Sequence, residues 1–86
     1  SVRIDKKELI SRIAEKLSED SEVIEKIVDA TLEEIYESLK QEKSVSLHNF
    51  GTFYIKRKWE GCVFKFNPSQ RLRKFFGWSS TYKGTL

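Results

Sequence analysis

The sequence predicts an α+β fold: an N-terminal helical hairpin, a three-stranded antiparallel sheet and a short C-terminal helix. Three observations carry this. Apolar residues recur at helical spacing as far as Leu39. From Ser44 onward they alternate with polar ones instead. Asn67-Pro68 and Gly77 then bracket one last short run. We expect a single domain over residues 1–86, with a helical base at 5–42, a sheet at 44–66, and a C-terminal helix and tail at 67–86.

Asp5, with Glu8 three residues on, is a capping box with Asp in the Ser/Thr place. Leu9, Ile10, Ile13, Ala14 and Leu17 follow it as one apolar stripe. Asp20 is the second N-cap, with Glu22 well placed near a helix N-terminus. Val23, Ile24, Ile27, Val28, Thr31, Leu32, Ile35 and Leu39 make a stripe too wide for a short partner helix to cover. One flank is expected to pack within the chain and the other against a second copy.

Val45 and Leu47 alternate with Ser44, Ser46 and His48, as in a half-buried strand. Asn49 and Gly51 flank Phe50, and both residue types tolerate the positive φ of a turn. Strands then run from Phe53 to Trp59 and from Cys62 to Phe66, with Glu60-Gly61 as the two-residue turn. That turn places Ile55 opposite Phe66, Arg57 opposite Phe64 and Trp59 opposite Cys62. One face then carries Phe53, Ile55, Phe64 and Phe66, with Arg57, Trp59 and Cys62 towards the tip. The other carries Tyr54, Lys56, Lys58, Val63 and Lys65. Asn67 as N-cap and Pro68 at the first helical position open the last helix, and Gly77 ends it. Leu72, Phe75 and Phe76 point inward, and the amides near Ser69 and Gln70 are available to a phosphate.

Charge divides the chain. Residues 1–55 hold eight Lys/Arg against twelve Asp/Glu, and residues 56–86 hold eight Lys/Arg against Glu60 alone. Ten of the eleven aromatic residues follow position 49. A polyanion-binding face on a helical scaffold explains this, and so does a solvated basic surface. One cysteine allows no internal disulfide, and with one histidine it makes no zinc set. A free cysteine without an export signal fits a reducing cytoplasm. No run is long and apolar enough to span a membrane. His48 lacks a recognisable nucleophile, no carboxylate pair stands out and the glycines form no phosphate loop, so an enzyme is not expected. Neither a cofactor nor a small-molecule substrate is implied. Cys62 reads as a small filler at the hairpin. A chain of this length makes a marginal solitary core, and self-association is the simplest remedy.

At Val45–Ile55, VSLHNFGTFYI, the chain resembles the bacterial HU and integration-host-factor family of DNA-binding proteins. The resemblance includes EKIVDATLEEIYESLKQEKS before that segment and VFKFNPSQRLRKFF after Cys62. It runs from about Lys6 to Ile55 and resumes at Val63–Phe76, with Phe50-Gly51-Thr52-Phe53 its most specific piece. The resemblance implies an HU-like, intertwined homodimer, a helical base beneath a saddle of strands, acting in the nucleoid. Phe50, Phe53 and Phe66 then belong to a shared dimer core. Duplex DNA is the implied partner, held without sequence preference by Lys56, Lys58, Lys65 and Arg73, with Tyr54, Arg57 and Gln70 beside them. The family's basic positions at the last helix match Asn67, Gln70 and Arg73, and only Arg73 keeps a charge.

Three departures from the family bear on this expectation. Glu42 stands where the family commonly has a glycine ending the second helix, so a differently built cap is expected. Asn49 replaces another frequent glycine. Between Lys58 and Val63 the family inserts a long two-stranded arm whose proline wedges between base pairs, and here only Trp59-Glu60-Gly61-Cys62 remains. The implied binding therefore comes with little bending. Trp59 is a substitute wedge only if it leaves the core-side face. Trp78 and Tyr82 in the tail read as packing anchors. Two other functions fit the same residues: an arm-less HU-fold module that docks an acidic protein, or a single-stranded nucleic-acid binder using Tyr54 or Trp59 to stack bases.

Overall fold

The protein is described from a computed structural model, which covers residues 2–76. In chain order the elements are α1 (Lys6–Leu17), α2 (Ser21–Lys40), β1 (Val45–Leu47), β2 (Gly51–Lys58), β3 (Gly61–Pro68) and α3 (Gln70–Phe75). The chain divides between Ile35 and Tyr36 into two compact units, a division that falls inside α2.

In the first unit, Asp5 caps α1 by accepting a hydrogen bond from the Glu8 amide at 2.9 Å. Asp20 caps α2 in the same manner, its carboxylate accepting from the Glu22 amide at 2.8 Å. Ile10, Ala14 and Ile24 are buried together, with Ile13 and Val28 packed against them. The Lys6 ammonium donates to Asp29 at 2.8 Å and ties α1 to α2. That hydrogen bond, and then the Asp29 charge, raises the Lys6 pKa above its ordinary value of 10.5. Leu9 and Leu17 stay exposed, as do Val23, Ile27 and Leu32 on α2. The predicted stripes are present, and only their central residues are covered.

The second unit is built on a sheet in the order β1-β2-β3. Residues 38–43 end α2 in a Schellman turn: the Lys43 amide donates to Ser38 at 3.0 Å and the Glu42 amide to Leu39 at 2.9 Å. Glu42 takes the left-handed conformation itself, φ 58°. The expectation of a differently built cap is corrected here: the backbone turn is the one a glycine makes, with a glutamate bearing its cost. The chain turns again at 48–50, where the Phe50 amide donates to Leu47 at 3.0 Å and Asn49 has φ 63°. His48 lies in that turn rather than in the strand.

The hairpin differs from expectation by two residues. Lys58 pairs with Gly61, Ile55 with Phe64, Tyr54 with Lys65 and Phe53 with Phe66, so the turn is Trp59-Glu60. The reason lies in the cross-strand pairs. The predicted register would have set Lys56 directly opposite Lys65, a like-charge pair that destabilises a ladder. The observed one places Val63 opposite Lys56 and joins Phe53 to Phe66. A shift of two leaves both faces with the residues assigned to them. Trp59 alone changes status, leaving the core-side face for the turn.

The start of α3 is also corrected. Asn67 and Pro68 continue β3, paired with Thr52 and Gly51. Proline is tolerated at the end of an edge strand, where its missing N–H breaks no ladder. Ser69 is the N-cap instead, its hydroxyl accepting from the Leu72 amide at 3.3 Å. Its own amide donates to the Phe50 carbonyl at 2.9 Å. Leu72 is half-buried, whereas Phe75 and Phe76 are exposed and lie against each other, ring centroids 6.2 Å apart. Their predicted inward orientation does not hold within one chain. The stop at Gly77 and the anchors Trp78 and Tyr82 lie outside the described residues.

Candidate nucleic-acid interface

Strand alternation creates the site. The face of β2 and β3 that carries Lys56, Lys58 and Lys65 also carries Thr52, Tyr54, Val63 and Asn67. Its described residues include no Asp or Glu. Lys65 sits across from Tyr54, and Lys56 follows one step along the diagonal. Lys56 and Lys58 are about 6.6 Å apart along the strand at the rise of an extended chain. None of the three lysines is ion-paired with a described residue. Lys56 and Lys58 are exposed, and Lys65 and Tyr54 are half-buried. Point charges on flexible stems suit phosphate oxygens and read no base edges.

Arg73 joins the end of this face. Its guanidinium donates to the Asn67 side-chain carbonyl at 2.8 Å, and Asn67 shares the lysine side of β3. Sequence reasoning expected Arg73 at the site but assigned Asn67 to the helix cap, and so missed that Asn67 lies on the lysine face of β3. Had Asn67 been kept in the alternation of Val63 and Lys65, its face would have been legible. Gln70 opens α3 and is exposed.

Arg57 stands apart. Alternation sets it on the aromatic side of the sheet, and its guanidinium forms a hydrogen-bonded ion pair with the Glu42 carboxylate. That hydrogen bond, and then the Glu42 charge, raises the Arg57 pKa above its ordinary value. The structure therefore brings Lys56, Lys58, Lys65, Tyr54 and Arg73 to one side and leaves Arg57 on the other.

The opposite face is aromatic. Phe53 lies 4.8 Å from Phe66 and 6.0 Å from Phe64 between ring centroids, and Phe50 reaches Phe66 at 5.6 Å. Phe50, Phe53 and Phe66 do pack together, yet Phe50 is 47% exposed, Phe66 37% and Phe64 55%. The described residues leave this cluster half-covered.

Residues 4–61 match the family model for the bacterial DNA-binding protein. A mutant HU from Thermotoga maritima superposes with a TM-score of 0.75 at 33% identity, covering 81% of this chain and 94% of that one. The chain belongs to the HU family. A second structure of Thermotoga maritima HU gives a TM-score of 0.71 at 34% identity, with the same coverage of 81% and 94%. HU from Anabaena, crystallised with DNA, shares the fold at a TM-score of 0.72 and 24% identity, covering 83% of this chain and 95% of that one. Comparison with curated proteins gives no match. Among the described residues no HU helix here is long and apolar enough to cross a membrane.

Proposed function

We propose that this HU protein is a homodimeric, non-enzymatic, nucleoid-associated protein that binds duplex DNA without sequence preference and bends it little. The lysine face carries the reading: Lys56, Lys58 and Lys65 share one side of β2 and β3 whose described residues include no Asp or Glu, and Arg73 continues it. Such a surface gains affinity by releasing counterions from phosphate and gains nothing from base identity. The Anabaena relative's cocrystal with DNA supports the same partner.

Little bending follows from the hairpin's length. The ladder closes at Lys58 and Gly61, so only about 10 Å of strand extends past Ile55 at ~3.3 Å per residue. A hairpin this short does not wrap a duplex, and Glu60 at its turn repels phosphate. Kinking costs a few kcal/mol of unstacking, which is recovered only where bent DNA meets more protein surface. End-to-end energy transfer on a duplex of about 30 base pairs, several times a single contact patch, is expected to change little at saturation. Competition among unrelated duplex sequences should give equal affinities. A large fall in end-to-end distance, or a strong preference for one sequence, would overturn the reading.

A further inference from the structure

Trp59 is 96% exposed. It occupies the first position of the two-residue turn beyond the Lys58–Gly61 pair. Its indole makes no ring contact or hydrogen bond with any described residue. Gly61, just past the turn, has φ +140°, and nothing lies within 4 Å of where a Cβ would sit. The ring therefore stands in open space with an uncrowded approach. An indole in that position leaves its apolar π face in water and open to stacking on another planar group.

We propose that Trp59 is a base-stacking residue that takes an unpaired base of a single-stranded nucleic acid, while Lys58 and Lys56 hold the adjoining phosphates. The proposal rests on the nucleic-acid reading of the lysine face. Charge favours a polyanion: Lys58 and Lys56, the residue before Trp59 and the one two before that, lie on a face whose described residues carry no carboxylate, and together they outweigh the single Glu60 beside Trp59 in the turn. Base geometry selects the strand state. In a continuous duplex the π faces are already stacked and admitting an indole means unstacking a step. In a single strand those faces are free, and one aromatic ring under one base adds affinity with little regard to sequence. Phosphate binding to duplex and base stacking to single strands thus use overlapping lysines and separate at Trp59.

The test compares an oligothymidylate of about 20 nucleotides, longer than one contact site, with a duplex of equal length at one salt concentration. Trp59→Ala should weaken single-strand binding roughly tenfold, the effect of one lost stack, and leave duplex binding within about twofold because its phosphate contacts remain. Trp59→Phe should recover most of the single-strand affinity. No loss on the single strand, equal loss on both ligands, or a wild-type protein that binds only duplex would overturn the proposal. Trp59-dependent binding of oligothymidylate without duplex binding would uphold it and overturn the duplex reading instead. The exposed position makes Trp59→Ala safe for folding, and an unchanged melting curve verifies that.

Discussion

Single positions in this chain are decided by backbone conformation and close approach. At Gly51, φ is +156°, and an added Cβ would lie 2.6 Å from the Phe66 ring and 2.7 Å from the Asn67 carbonyl oxygen. The ring cannot retreat without disturbing Phe50 and Phe53, and the carbonyl belongs to the paired strand β3. Gly51→Ala should therefore destabilise the protein by roughly 2–4 kcal/mol, combining overpacking with a disfavoured φ. Urea denaturation reads this directly, and a loss below about 1 kcal/mol would show that the aromatic cluster is loose. Glu42 illustrates the reverse case. Left-handed backbone at a residue with a Cβ costs on the order of 1 kcal/mol, whereas an exposed ion pair returns little. Glu42→Gly should raise the melting temperature even though it removes the partner of Arg57. A lower melting temperature would mean that the ion pair outweighs the backbone cost.

At the scale of elements, the sheet separates two chemistries onto two faces. β2 supplies Lys56 and Lys58 to one side and Phe53 and Ile55 to the other, and β3 repeats the pattern with Lys65 against Phe64 and Phe66. On the proposed reading, changing Lys56 and Lys58 together to Ala would remove two phosphate contacts and no base contact. Affinity should fall alike on every sequence, and the slope of log K against log salt should flatten by about 0.9 for each phosphate lost. Salt titration by fluorescence anisotropy measures both. An unchanged slope would remove the lysine face from the site. The short element α3 matters through its ends. Ser69 caps it and ties it to Phe50, and Arg73 turns back to Asn67, so α3 brings one further cation to the same edge of β3.

At the scale of the whole molecule, the described residues contain only Ile10, Ala14 and Ile24 as buried apolar side chains. So small a core cannot offset the conformational entropy of a folded chain of this size. The exposed residues are of the wrong kind for water: Phe50 in the turn before β2, Phe64 and Phe66 on β3, and Val23, Ile27, Leu32 and Tyr36 on α2. A second copy is the economical cover, and folding should then be coupled to association. The melting temperature is expected to rise with protein concentration, as for any equilibrium in which only the folded state associates. Sedimentation of a folded monomer at micromolar concentration would refute the homodimer.

Much of this was legible in the sequence, and the limit has a physical cause. The sequence by itself determined whatever depends on neighbours a few positions away. Asp5 and Asp20 cap their helices, the α1 and α2 stripes follow the helical period, and strand alternation assigns every lysine and phenylalanine of the hairpin to its observed face. Tertiary structure decided what local periods leave open. Alternation repeats every two residues, so it cannot distinguish a turn at Glu60-Gly61 from one at Trp59-Glu60. Cross-strand charge and ring pairing choose between them, and that choice frees Trp59 from the sheet. The same non-local contacts extend β3 through Pro68, move the α3 cap to Ser69, and turn Arg57 towards Glu42, fifteen residues away in the chain.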